Sequence, residues 1–230
     1  MSDGNIKSRK SPRKAIPGVS PDTAALRKEL RKLLGTSHDG KKIGTYKWGV
    51  YAFLDYDEEP IYVGQTKESL GARIGRHLTN QRTDAVAMNV LDPFEVAYIR
   101  MWPLDLAGCN KKQVQQKLNE AEYTAYKELL ESSKLKAVLN EKPPAKTQLV
   151  RLPDDVEGCI VPHDLIESRK HPDVRIARRA ATIANLAKVI SERSVNTGLR
   201  TTLLTQARRL LALAERRLGE VSGLLLDEQA

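Results

Sequence analysis

The sequence predicts an α+β fold: a small three-stranded antiparallel sheet flanked by helices, followed by a C-terminal α-helical hairpin. Two observations predict it. Two short runs with alternating side chains, Gly49–Leu54 and Ile61–Gly64, flank Asp55-Tyr56-Asp57-Glu58-Glu59-Pro60, a stretch of turn composition, and so read as a β-hairpin. Much of the remaining chain repeats its apolar residues at helical spacing. It closes with two long amphipathic segments around Ser194-Val195-Asn196-Thr197-Gly198.

Taken in order, residues 1–21 are rich in Lys, Arg, Ser, Pro and Gly and read as a basic disordered arm. Residues 22–46 hold a helix and a linker: Asp22 or Thr23 can cap it, and Leu26, Leu30, Leu33 and Leu34 form its apolar stripe. The hairpin follows at about 47–64. If Val50, Ala52, Ile61 and Val63 share the core face, Val50 opposes Val63 and Ala52 opposes Ile61. Tyr51 then opposes Tyr62, with both phenols on an accessible face. A helix over about 68–81 turns Leu70, Ile74 and Leu78 inward, and Arg73 and His77 stack four residues apart on an adjacent face. Leu91–Trp102 reads as the third strand. Residues 111–134 read as a regular helix with Val114, Leu118, Ala121, Ala125 and Leu129 buried. Glu122 lies at the margin of that stripe. Glu120 is its rival, but the two are about 200° apart on a helix and cannot face one cleft.

From about 146 the composition shifts. Residues 146–171 read as a linker with a short helix, and residues 172–230 as a helical hairpin for dimerisation or DNA binding. In its first helix Ile176, Ala180, Ile183, Ala187 and Ile190 are expected inside. In its second, Leu199, Leu203, Ala207, Leu210, Leu211, Ala214 and Leu218 are. Arg175, Arg178 and Arg179 cluster at the start of the first, and Arg208, Arg209, Arg216 and Arg217 line the second.

Charge narrows the partners. The 230 residues carry 38 Lys and Arg against 29 Asp and Glu, a net charge of +9. Residues 1–16 hold five basic residues against one acid, 17–163 hold 21 against 20, and 164–230 hold 12 against eight. A near-neutral middle between basic ends suits a module gripping a polyanionic backbone. No apolar run reaches the roughly 18–20 residues of a membrane span, and the N-terminus lacks a secretory h-region. Cys109 and Cys159 lack metal-ligand spacing and read as reduced thiols of a cytoplasmic protein.

The order of these residues resembles the GIY-YIG nuclease family, of restriction or homing type. Gly49-Val50-Tyr51 and Tyr62-Val63-Gly64 match its two tripeptides, each with Val for Ile. Arg73 matches its helical arginine, His77 the His or Tyr one turn later, Glu122 its metal-binding glutamate and Asn140 its late asparagine. The resemblance covers about residues 47–145. It implies hydrolysis of a DNA phosphodiester with Mg²⁺ or Mn²⁺ held by Glu122. It further implies Tyr51, or else Tyr62, as water-activating base, Arg73 on the phosphate, His77 assisting and Asn140 fixing the site. Lys67, Arg76, Asn80, Gln81, Arg82, Arg175, Arg178 and Arg179 are candidate DNA contacts. A restriction or other defence nuclease is the favoured reading, with homodimerisation through the helical hairpin left open. A mobile-element or repair nuclease, or a DNA-binding module with a dormant nuclease fold, are the alternatives.

Overall fold

The computed structural model describes residues 21–79, 92–140, 142–192, 195 and 197–223. The basic arm over residues 1–20 and the candidate contacts Asn80, Gln81 and Arg82 lie outside them.

Helix α1 (Pro21–Leu34) opens on a proline, carries Asp22 in its first turn and Arg31 and Lys32 in its last, each suited to the helix dipole. It buries Leu26 and Leu30. A two-residue hairpin follows, β1 (Ser37–His38) and β2 (Lys41–Lys42), joined by Asp39 and Gly40 at positive φ. Strands β3 (Trp48–Leu54) and β4 (Pro60–Thr66) form the long hairpin. Helix α2 (Leu70–Thr79) comes next, then β5 (Tyr98–Leu104) and α3 (Lys111–Ser132). Asn110 caps α3: its Oδ1 accepts from the Lys112 and Gln113 backbone N–H groups, and Gln113 Oε1 accepts from Asn110 N, a complete capping box. Strand β6 (Val156–Cys159), a short helix α4 (Ile166–Lys170), and the long helices α5 (Pro172–Glu192) and α6 (Thr197–Ser222) complete the order.

The main sheet has four antiparallel strands in the order β4-β3-β5-β6, not three. The fourth comes from the segment expected to be a linker. Its Val-Glu-Gly-Cys is too short and too weakly apolar to show a strand period. The third strand begins later than expected, because Asp92 accepts from Phe94 N at 2.9 Å and caps a 3₁₀ turn at Pro93–Glu95.

Both faces of the sheet are covered. Val50, Ala52, Leu54, Val63 and Trp102 pack against Ala121, Ala125 and Leu129 of α3. Tyr51, Phe53, Ile99 and Met101 pack against Leu70, Ile74 and Leu78 of α2 and Leu26 and Leu30 of α1. The hairpin register also differs from expectation. Tyr51 opposes Gly64, Ala52 opposes Val63, and Phe53 opposes Tyr62, with an irregularity between Phe53 and Leu54. The slip is two residues, so Tyr51 and Tyr62 still share a face. That face is buried by α2 rather than open.

The C-terminal helices bury Ile190 and Leu199 as their apolar spacing suggested, but the rest of each inward line differs from it. In α5 the buried line is Arg175, Arg179, Leu186 and Ile190, while Ala180 is exposed. In α6 it is Leu199, Thr202, Gln206, Arg209 and Leu213, while Ala207, Leu211 and Leu218 are exposed. The cause is the β3–β4 turn. Asp55, 1 % exposed, accepts at Oδ2 from Arg179 Nη2 at 2.8 Å and Arg209 Nη2 at 2.6 Å, and Arg175 Nη2 lies 3.2 Å away. Arg175 also meets Asp57 at 2.7 Å, and Arg179 donates to Glu95 at 3.0 Å. Carboxylates buried in the core recruit the arginines, and the helices rotate to deliver them. Among the described residues no helix is long and apolar enough to cross a membrane.

Candidate active site

Tyr51 is fully buried, and its hydroxyl accepts from Arg73 Nε at 3.3 Å. The rings of Tyr62 and His77 lie 6.1 and 5.9 Å from its ring, centroid to centroid, and 5.4 Å from each other. Three elements converge here: β3 brings Tyr51, β4 brings Tyr62, and α2 brings Arg73 and His77 one turn apart. Two glycines make room. A Cβ on Gly64 would sit 2.8 Å from the Tyr51 hydroxyl, and one on Gly49 2.8 Å from the Trp102 carbonyl oxygen. Burial raises the Tyr51 phenol well above its ordinary value, and Tyr62 adds to the rise. Arg73 opposes it through its charge and its hydrogen bond. Burial prevails, so the resting site holds a neutral phenol beside a guanidinium.

Glu122 lies on the α3 side of the sheet, opposite the phenols, within electrostatic reach of Arg73. Its Oε2 accepts from Gln65 Nε2 at 2.8 Å. The same Nε2 donates to Asn119 Oδ1 at 2.9 Å, which also accepts from Gln115 Nε2 at 2.6 Å. Burial pushes the Glu122 carboxyl above the usual carboxylate range, while Gln65 and the charge on Arg73 pull it down. Glu120 points elsewhere, accepting from Gln116 Nε2 at 2.9 Å. Gln65 and Asn119 are the residues that sequence reasoning missed. Gln65 directly follows the second tripeptide, and Asn119 lies one helical turn before Glu122 on the same side of α3; those positions were the available signal.

The donors around Glu122 suit a hard divalent cation. Gln65 Oε1 is buried and accepts no hydrogen bond, while Nε2 of the same amide donates to the Glu122 carboxylate and the Asn119 amide oxygen. Among the described residues no three His, Cys, Asp or Glu side chains cluster to form a full metal cage. One carboxylate with neutral oxygens and water is the kind of set Mg²⁺ accepts.

Asn140 acts on the edge of the sheet. Its Oδ1 accepts from Val63 N at 3.0 Å and its Nδ2 donates to Val63 O at 2.8 Å, so it closes the open side of β4. It steadies the strand that carries Tyr62 and Gln65.

An open groove lies beside the site, lined by Gln65, Thr66, Lys67, Glu68, Arg73 and Gln115. Lys67 is exposed there. Arg76 is ion-paired with Glu68. Arg175 and Arg179, expected to contact DNA, are buried in the carboxylate cluster. Arg178 donates to the Phe94 carbonyl at 3.3 Å and lies over the Phe94 ring. Arg175 and Arg179 hold the hairpin to the core and present no free cationic face, whereas Arg178 is half-buried.

Residues 47–124 match the GIY-YIG catalytic domain. No curated protein and no solved structure matches the chain.

Proposed function

We propose that the chain, whose residues 47–124 match the GIY-YIG catalytic domain, is a GIY-YIG nuclease and a divalent-cation-dependent DNA endonuclease. The observation that carries the reading is the meeting of the Tyr51 hydroxyl with Arg73, with Glu122 close enough to feel the same guanidinium.

Hydrolysis requires water to attack phosphorus in line with the departing 3′-oxygen. Lys67 and Arg73 receive the phosphate in the groove. Arg73 is a fixed donor that stabilises the negative charge gathering on the phosphate oxygens. It is also the cation that favours loss of the Tyr51 proton. Tyr51, once ionised, takes the proton of the attacking water, and the leaving oxygen is reprotonated from solvent. Tyr62 and His77 hold the phenol in position. Glu122, with the amide oxygen of Gln65, would hold Mg²⁺ or Mn²⁺, which supplies neutralisation of the phosphate and of the leaving oxygen when bound.

The biological reading is a restriction or other defence nuclease. The test incubates the full chain with plasmid and with single-stranded DNA in Mg²⁺, beside Tyr51→Phe and Glu122→Gln. Cleavage by the parent and its loss in both variants support the site. Undiminished cleavage in both variants would remove it. Cleavage ends that recur at one sequence support the restriction role, and scattered ends argue against it.

A further inference from the structure

Helix α6 carries an apolar stripe that the other described residues leave uncovered. Leu204, Leu211 and Leu218 repeat every seven residues and are 53 %, 58 % and 66 % exposed. Ala207, Ala214 and Val221 fall three residues after each leucine, so the six positions form the a and d seam of three heptads. The opposite side of the helix is spent on Thr202, Gln206, Arg209 and Leu213, turned toward α5 and the β3–β4 turn. A coiled-coil seam on the outside of a helix 26 residues long calls for a second helix.

We propose that this seam pairs with the α6 helix of a second copy of the chain, antiparallel, to form a two-fold dimer. Three features of the stripe select this occupant. An antiparallel pair sets a positions against d positions, which here places Leu204 opposite Val221, Leu211 opposite Ala214 and Leu218 opposite Ala207 of the second copy. Each layer joins a large side chain to a smaller one, as close packing needs. A parallel pair would stack Leu on Leu and Ala on Ala. Second, Arg208 and Glu215 are exposed and occupy successive e positions on one flank. In an antiparallel pair e faces e, so Arg208 of each copy meets Glu215 of the other, and the two contacts repeat through the two-fold. Third, the alanines let the two backbones approach closely. The dimer does not depend on whether the chain cleaves DNA.

Sedimentation equilibrium of the full chain tests this, with Leu211→Glu, Arg208→Glu, Glu215→Arg and the double charge exchange. The parent is expected to dimerise and Leu211→Glu to sediment as a monomer with unchanged circular dichroism, since position 211 is exposed. Each single charge reversal should weaken the dimer by about tenfold, and Arg208→Glu/Glu215→Arg should restore most of that loss. A parent that stays monomeric up to about 100 μM overturns the proposal. So does a double variant no tighter than the singles, because only the antiparallel pairing makes those charges partners.

Discussion

Tyr51 and Gly64 face each other across β3 and β4, and the phenol fills the space that any side chain at position 64 would need. Gly64→Ala should therefore displace the phenol from Arg73. A shift near 1 Å is expected to cost about 100-fold in cleavage rate and about 1–3 kcal/mol of stability from overpacking. Single-turnover cleavage and urea denaturation measure the two effects. Parental activity in the alanine variant would mean that the phenol position does not matter to the chemistry.

Glu122 should trade stability for activity. Its folded carboxyl titrates above the ordinary value, chiefly through burial. A group raised in this way contributes stability that is complete below the unfolded value and is lost as pH rises through the folded one. At neutral pH the ionised carboxylate is thus a burden on the fold. Glu122→Gln should melt at a higher temperature than the parent near pH 7, with the difference shrinking toward pH 4, while cleavage is lost. Calorimetry across that range checks the sign. A variant less stable than the parent at neutral pH would contradict it.

Gln65 should matter through the cation. Its amide ties Glu122 to Asn119, so Gln65→Leu keeps the bulk and releases the carboxylate. The concentration of Mg²⁺ or Mn²⁺ giving half-maximal cleavage is expected to rise about 10–100-fold, as for other residues that orient a ligand. The rate at saturating cation should fall less. An unchanged cation dependence would take Gln65 out of the site.

Asp55 should be the chain's most costly single carboxylate to remove. Asp55→Ala leaves three inward arginines without their shared partner. The loss is expected to be about 3–5 kcal/mol, the range for breaking a buried ion pair. Urea unfolding measures it, and limited proteolysis should show α5 and α6 cut early. A loss below about 1 kcal/mol would mean that the cluster behaves as a surface network.

The half of the chain that holds the candidate site was legible in the sequence because its signals are local. Arg73 and His77 share a helix face by spacing alone, and Glu122 sits at the edge of a stripe whose five apolar members are all buried. The hairpin register was misjudged by two residues, yet strand side chains repeat every two, so the faces of Tyr51 and Tyr62 survived the error. What the slip concealed was Gly64 as the partner of Tyr51. In the C-terminal half the two helices were legible but most of their inward faces were not, for the opposite reason. Helical periodicity finds an apolar stripe, but it cannot say which side is core when the core offers carboxylates. Asp55 and Arg209 are 154 positions apart, and no local pattern joins them. Gln65 and Asn119 were missed because neutral amides carry no signal of their own until a carboxylate stands beside them.

That separation bears on how the protein comes into being. Ribosomes release a chain from its N-terminus, and early domains fold first. Here Asp55, Asp57 and Glu95 emerge well ahead of the arginines that neutralise them, by 118 positions for the Arg175–Asp57 contact and 124 for Arg179–Asp55. Within the turn joining the two tyrosine strands, Asp55 Oδ1 already accepts from Asp57 N and Glu59 N, whereas Oδ2 finds its partners only in α5 and α6. Fragments that end before α5 would hold Tyr51, Arg73 and Glu122 without any of the three arginines that meet Asp55 in the folded chain.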